Sequence, residues 1–224
     1  MNDSPSNRIH LSFNGIEVFH TYSFYPDQNI FFCNIPKCAT TTIHNYIKRK
    51  LEDNSLLVLN EPFYFTIIRE PIERLKSALW MITWQSYSIK SFHCPNCGHD
   101  WKDHGDLHEF EQNNLEFNID DYVKLMKNIS RTNINEQILM HAFPQSLFIE
   151  NSPYYNSRDL KIYRMDQIDQ IFNTKLLKDN PAEELTNPSY KKFEKNFEDQ
   201  CSEYAIFLNS CFADDFKLWD LANT

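Results

Sequence analysis

Residues 29–42 read NIFFCNIPKCATTT, and no other part of the chain indicates the fold class as strongly. The apolar run at 29–35 has the length of a strand and ends at Pro36, and residues 41–52 then follow a helical pattern. A second buried-strand run, FYFTII at 63–68, precedes Pro71, which suits the first turn of a helix. This order predicts an α/β fold with a central, mainly parallel sheet flanked by helices.

The connection after the first strand has the chemistry of an anion cradle. A helix N-terminus presents free backbone N–H groups and a partial positive charge. Lys37 adds a full charge, and Thr40, Thr41 and Thr42 add hydroxyl donors. Glycine occurs only at 15, 98 and 105, which excludes both a Walker A loop and the dinucleotide fingerprint. The alternative is an ordinary helix start capped by threonine.

A second polar group follows the second strand, where residues 69–77 read REPIERLKS. Arg69 stands at the strand end, which is where open α/β sheets bind ligands. Ser77 lies eight residues further on, inside the predicted helix. We expect the two side chains to converge on one phosphate, to which arginine makes a forked contact. The alternative is a surface Arg–Glu network with a solvent-facing serine.

As a pair, the two segments resemble the cofactor motifs of sulfotransferases. Residues 36–42, PKCATTT, resemble the 5′-phosphosulfate loop P-K-x-[GA]-[TS]-[TS], and residues 69–77 resemble the 3′-phosphate motif R-x-P-x-x-R-x-x-S. The carbohydrate-type branch is the most similar. Ala39 stands where Gly is frequent, and Glu70 where Asp or Asn is frequent. Weaker likeness extends to residues 141–145, 160–166 and 214–216.

The resemblance implies one P-loop-like, three-layer domain over residues 1–224 that binds 3′-phosphoadenosine 5′-phosphosulfate (PAPS). A sulfuryl group would pass in line to a hydroxyl or amine acceptor on a small molecule or a carbohydrate. Lys37 would neutralise the leaving oxygen, while Arg69 and Ser77 would select the 3′-phosphate. The implied cofactor-binding residues are Pro36, Lys37, Cys38, Ala39, Thr40, Thr41, Thr42, Arg69 and Ser77.

A hydroxyl acceptor needs a general base, which the sequence does not fix. Glu61 is the first candidate, because it follows the apolar run 56–59 just ahead of the Arg69 strand. Its alternative role is that of a turn residue before Pro62. His44 is the second candidate, and its alternative is a plain surface position on the helix after the loop. His141 suits instead a core position or the acceptor site.

Two other functions compete with sulfuryl transfer. An ATP-dependent phosphotransferase is disfavoured because the chain carries neither a Walker A loop nor kinase signatures. A PAPS- or nucleotide-binding protein without catalysis is disfavoured because Lys37, Arg69 and Ser77 are all present.

Composition bounds the partners and the location. The formal net charge of −9 disfavours nucleic acid as a ligand, since binders of duplex DNA carry a basic face. No run of about 18 apolar residues predicts a membrane span, and the polar N-terminus lacks the parts of a signal peptide. We therefore expect a cytoplasmic protein with reduced thiols.

The remaining segments give a coarser outline. Asn14-Gly15 between short alternating runs predicts an N-terminal hairpin beside the main sheet. Helices are expected near 119–129 and 133–142, and short strands near 146–149 and 160–164. Apolar residues three and four apart over 190–211 predict one long amphipathic helix.

Residues 86–118 are polar and rich in Cys and His, and we predict that they form an inserted loop. Within them, HCPNCGHDWKDHGDLH at 93–108 suggests a structural zinc site. The expected ligands are Cys94, Cys97, His104 and His108. His93, His99, Cys201 or Cys211 are possible substitutes, and a free-thiol, His-rich surface loop is the alternative.

Overall fold

The computed structural model describes residues 8–52, 59–90, 119–127, 139–153, 155, 160–168 and 194–222. Within these ranges the strands are β1 (Arg8–Phe13), β2 (Ile16–Thr21), β3 (Ser23–Tyr25), β4 (Ile30–Cys33), β5 (Phe63–Ile68) and β6 (Lys161–Arg164). The α-helices are α1 (Thr40–Glu52), α2 (Pro71–Lys90), α3 (Ile119–Lys127), α4 (Gln145–Glu150), α5 (Glu194–Glu203), α6 (Ala205–Cys211) and α7 (Ala213–Leu221). Short 3-10 turns lie at Pro26–Gln28, Met140–Ala142 and Met165–Gln167.

The main sheet has four strands in the order β3-β4-β5-β6. β3 runs antiparallel to β4, whereas β4, β5 and β6 are parallel to one another. Ile30 lies opposite Phe63, and Ile68 lies opposite Arg164. The carboxyl ends of β4, β5 and β6 therefore share one edge of the sheet, and the segments that leave this edge begin at Asn34, Arg69 and Met165. The predicted α/β class with a mainly parallel sheet is confirmed.

Two hydrophobic clusters explain why the strand runs are apolar without alternation. One cluster joins α1 to the sheet through residues such as Phe32, Ile47 and Phe65. The other packs the hairpin and helices α2 to α4 around residues such as Ile35 and Ile68. Burial on both faces fixes β4 and β5 in the middle of the molecule, and this holds the loops that follow them at a fixed spacing.

The N-terminal hairpin is confirmed, with Asn14 at φ 49° and Gly15 at φ 79° in its two-residue turn. Two successive left-handed residues give the twist that such a turn needs, which suits Asn-Gly. The hairpin forms a sheet of its own, and it packs Leu11, Ile16 and Val18 into the core cluster that contains α2.

Three boundaries differ from the sequence prediction. Residues 146–149 lie in helix α4 and not in a strand, because the Asp215 carboxylate accepts the backbone N–H groups of Gln145 and Ser146 at 2.7 and 2.8 Å. Helix α2 continues to Lys90, so residues 86–90 are helical. The described part of the C-terminal segment is divided into α5, α6 and α7, with non-helical backbone at Tyr204 and Phe212.

Helix α3 and strand β6 confirm the predictions near 119–129 and 160–164. Residues 91–118, with the predicted zinc ligands Cys94, Cys97, His104 and His108, lie outside the described residues, as does most of the helix expected near 133–142. In the described part of the chain, none of the helices combines the length and the apolar character that crossing a membrane requires.

Candidate anion-binding site

The loop between β4 and α1 has an unusual backbone. Lys37 and Ala39 adopt left-handed conformations, with φ 68° and 57°. The Cys38 N–H donates to the Ile35 carbonyl at 3.2 Å, and the Thr40 hydroxyl donates to the same oxygen at 2.7 Å. The Ile43 N–H, which bonds to Ala39 at 3.0 Å, makes the first helical hydrogen bond. The N–H groups at 40–42 precede it and carry the positive end of the helix dipole.

The two left-handed residues store conformational energy. For an L-residue other than Gly this conformation costs roughly 1–2 kcal/mol, and such strain clusters at binding sites. Alanine is the smallest residue with a Cβ, which suits position 39, where the resemblance led us to expect Gly. The chain therefore turns sharply through these two residues between β4 and α1.

Arg74 holds the loop from beneath. Its side chain is buried, with 1% of the residue exposed. Nε donates to the Pro36 carbonyl at 3.0 Å, and Nη1 donates to the Phe143 carbonyl at 2.5 Å. The guanidinium group also lies beside the Cys38 thiol and 5.7 Å from the centre of the Phe148 ring. Two carbonyl oxygens and the ring offset part of the cost of burying this charge, whereas Nη2 is buried and has no hydrogen-bond partner among the described residues.

Lys37, Arg69 and Arg74 gather positive charge at the carboxyl edge of the sheet. Burial lowers the pKa of Lys37 to about 8, and the charges of Arg69 and Arg74 act in the same direction. Arg69 keeps a long ion pair with Glu73, with Nη2 and Oε2 3.5 Å apart. Each of these three cations attracts a bound anion, and the anion also relieves the repulsion among them. An anion at this edge is therefore stabilised by all three charges.

Gln145 connects the two halves of this site. Its Oε1 accepts the Arg69 backbone N–H at 2.8 Å, and its Nε2 donates to the Arg69 carbonyl at 2.8 Å. The Cys38 thiol also donates to Oε1, over 3.1 Å. Sequence reasoning named residues 141–145 only as a weak family likeness and gave Gln145 no role. The sequence signal for a role of Gln145 was weak: a polar residue directly after Pro144.

Ser77 lies in α2 and is buried, with 8% of the residue exposed. The alternative of a solvent-facing serine on a surface helix is therefore excluded. The structure thus places Ser77 on the inner side of the helix that begins two residues after Arg69.

His44 belongs to a half-buried polar cluster at the edge of the sheet. Its Nε2 lies 3.0 Å from Ser23 Oγ, and its Nδ1 lies 2.8 Å from the Tyr25 hydroxyl. Ser23 in turn donates to Asn34 Oδ1 at 3.4 Å. Because this amide oxygen only accepts, the chain of bonds assigns the proton of a neutral His44 to Nε2 and leaves Nδ1 to accept from Tyr25. Burial lowers the pKa of His44.

The structure does not bring Glu61 to the Lys37 loop. Glu61 is exposed and lies in the bend before β5, at the amino end of that strand, whereas Arg69 follows its carboxyl end. The length of β5 separates these ends by about 17 Å. At this distance Glu61 does not reach a group bound at the loop. Its position matches the alternative role, that of a turn residue before Pro62.

His20 ties the hairpin to the segment that enters the loop. Its Nε2 donates to the Asn34 carbonyl at 2.7 Å, and its ring packs edge-on against Phe148 at 5.0 Å. Burial lowers the pKa of His20 to about 4, and the nearby His141 acts in the same direction. His141 lies half-buried in the 3-10 turn Met140–Ala142, so a packing role fits it.

Among the described residues, no group of three or more His, Cys, Asp or Glu side chains is arranged to hold a metal ion. Comparison of the chain with protein-family models, with curated proteins and with solved structures gave no match.

Proposed function

We propose that this protein transfers a sulfuryl group from PAPS to an acceptor hydroxyl or amine, with a P-loop-like cofactor site at the carboxyl edge of the parallel strands. The proposal rests on one observation: the Lys37 loop and Arg69 lie close together. The charge of Arg69 is near enough to help lower the pKa of Lys37. The motif resemblance and this convergence support it independently, because a shared sequence pattern does not by itself require spatial proximity.

The loop supplies the groups that the leaving phosphate needs. The N–H groups at 40–42 and the hydroxyls of Thr41 and Thr42 hold the 5′ end, while the Thr40 hydroxyl stays bonded to the Ile35 carbonyl. Lys37 neutralises the oxygen between sulfur and phosphorus as that S–O bond breaks. Fixed donors of this kind need no reorganisation during the reaction. The new bond forms between sulfur and the acceptor atom, and 3′-phosphoadenosine 5′-phosphate (PAP) leaves.

Arg69 and Ser77 distinguish PAPS from ATP by reading the 3′-phosphate. Arg69 follows β5, and its Nη2 lies 3.5 Å from Glu73 Oε2, a long contact that a forked bond to an incoming phosphate can replace. Buried Ser77 offers a hydroxyl on the next helix. A nucleotide without a 3′-phosphate leaves this part of the site unused.

In this proposal the acceptor proton passes to Nδ1 of His44 after the bond from the Tyr25 hydroxyl opens, because Nε2 already carries the proton that it donates to Ser23. The hydrogen bonds of His44 lead, through Ser23, to Asn34 at the entry of the loop. Its lowered pKa keeps the imidazole neutral at pH 7, which is the form that accepts a proton.

Calorimetry with PAP, AMP and ATP tests the proposal. We expect PAP to bind about 10- to 100-fold more tightly than AMP, because charge-assisted hydrogen bonds contribute about 1.5–3 kcal/mol. Arg69→Ala should remove this preference, whereas Lys48→Ala, on the exposed end of α1, should keep it. Equal affinity for PAP and AMP would overturn the assignment, and a preference for ATP would favour a phosphotransferase.

A further inference from the structure

We propose that Gln145 is the positioning residue that fixes the distance between the Lys37 loop and Arg69, and so sets the preference for a nucleotide carrying phosphates at both ends. The inference rests on the proposed function for its ligand. Its structural basis, a single amide bonded to both halves of the site, is independent of that function.

The contacts of Gln145 join segments that are distant along the chain. Its amide pairs with both backbone groups of Arg69 at 2.8 Å, in the manner of a neighbouring strand. Its Oε1 also accepts the thiol of Cys38, the residue between the two left-handed positions of the loop. Moving Gln145 would thus move the loop relative to the end of β5.

The side-chain chemistry demands glutamine. One carbonyl oxygen with two lone pairs accepts from Arg69 and from Cys38, while the NH₂ group donates to the Arg69 carbonyl. A glutamate at position 145 keeps the acceptor but loses the donor when ionised, and a methionine keeps only the length. Only 1% of Gln145 is exposed, so water does not replace a lost partner.

The backbone of Gln145 is itself held by Asp215. This buried carboxylate accepts the N–H groups of Gln145 and Ser146 at 2.7 and 2.8 Å. Helix α7, which carries Asp215, is further tied to the end of β6 by the Arg164 guanidinium, 3.9 Å from the centre of the Trp219 ring. Helix α7 therefore supports the position of Gln145.

The Lys37 loop and Arg69 act as two anchors at a fixed distance. A ligand that contacts both anchors is therefore sensitive to any change in that distance. A charge-assisted hydrogen bond to a phosphate contributes about 10- to 100-fold in affinity, and this contribution falls steeply when the donor is displaced from hydrogen-bond distance. A nucleotide with one phosphate, such as AMP, uses only one anchor and should bind almost as before. PAP uses both anchors and should lose affinity when their spacing is no longer fixed.

Three variants test the positioning role: Gln145→Met, Gln145→Glu and the control Ser146→Ala, which keeps the backbone bond to Asp215. Calorimetry gives the ratio of PAP to AMP affinity. Alkylation of Cys38 in the native protein, followed by peptide mass spectrometry, reports the loop without any nucleotide, because Cys38 is fully buried. A thermal melt records whether each variant is folded.

We expect Gln145→Met to lower the PAP-to-AMP ratio at least about tenfold and to speed Cys38 alkylation by a similar factor, with Ser146→Ala within about twofold of wild type. At pH 8, Gln145→Glu should have a lower PAP-to-AMP affinity ratio than wild type. At pH 5.5 its ratio should approach the wild-type ratio measured at that pH, because a protonated carboxyl again donates to the Arg69 carbonyl. Loss of folded protein alone would weaken PAP and AMP binding by the same factor, so a purely structural role would leave the ratio unchanged at both pH values.

The outcomes separate the two proposals. If wild-type protein prefers PAP while both Gln145 variants keep the wild-type ratio and labelling rate, the positioning role is refuted and the proposed function stands. If wild-type protein shows no preference for PAP, the proposed function is refuted, and Cys38 labelling alone decides whether Gln145 holds the loop. Should Gln145→Met fail to fold, the presence or absence of pH recovery in Gln145→Glu decides the positioning role.

Discussion

Arg74 Nε donates to the Pro36 carbonyl at 3.0 Å, so a buried guanidinium on α2 fixes the residue that begins the anion loop. The same group reaches Phe143 through Nη1, at 2.5 Å. We expect Arg74→Lys to lower the free energy of unfolding by about 1–3 kcal/mol, because a lysine cannot hold both carbonyls with fork geometry. Denaturant titration measures this change. Arg69→Lys is the matched control and should change stability little while weakening PAP binding; equal stability of the Arg74 variant and wild type would contradict the role of Arg74.

His20 should make the protein sensitive to mild acid. Its pKa is 6.5 in the unfolded chain and about 4 in the fold, so the unfolded state binds the extra proton between these values. Stability is then fully present above pH 6.5 and decreases as the pH falls towards 4, by up to about 3 kcal/mol. His20→Gln, whose amide can still donate to Asn34, should flatten this part of the profile of denaturation midpoint against pH. His10→Gln, at an exposed residue paired with Glu17, is the control, and an unchanged slope in the His20 variant would refute the assignment.

Substitution of each candidate base by glutamine tests which of them accepts the proton. We expect His44→Gln to lower the turnover number by about 100-fold or more at saturating PAPS, because general-base catalysis contributes about 10²–10⁴-fold. Glu61→Gln should leave turnover within about twofold of wild type, since Glu61 lies at the opposite edge of the sheet. Wild-type turnover should fall as the pH drops below the lowered pKa of His44. A large loss in the Glu61 variant with none in the His44 variant would reverse the two assignments.

The zinc prediction concerns Cys94, Cys97, His104 and His108, which lie outside the described residues. We expect about one equivalent of zinc in protein purified without chelator, and a lower melting temperature in EDTA, since a structural metal adds to folding stability. Cys94→Ser should remove the metal, and Cys201→Ser should keep it. Less than about a tenth of an equivalent, with the same melting temperature in EDTA, would rule the site out.

Sequence patterning predicted the elements whose signals are local. The runs at 29–35 and 63–68 are buried on both faces and become β4 and β5, and Asn14-Gly15 supplies the backbone that the hairpin turn needs. The prediction for 146–149 was wrong because the decisive contact is a cap from Asp215, about seventy residues away along the chain.

The site was predictable only in part for the same reason. The position of Lys37 and Arg69 after parallel strands places both at one edge of the sheet, and the motif spacing anticipates this. Glu61 precedes β5 and Arg69 follows it, so the order of the sequence already places them at opposite ends of this strand in a parallel sheet. The bonds of Gln145 depend on tertiary packing of α4 against β5, which no local pattern encodes.

Transfer from sulfur-labelled PAPS to a panel of hydroxyl and amine acceptors, read by mass spectrometry, tests the central claim most directly. We predict labelled product with wild-type protein and a loss of roughly 100- to 1000-fold with Lys37→Met. This variant should stay folded, because burial and the charges of Arg69 and Arg74 already disfavour the charge that it removes. A Lys37→Met protein that turns over at nearly the wild-type rate, or a wild-type protein that transfers phosphate from ATP and no label from PAPS, would contradict the account.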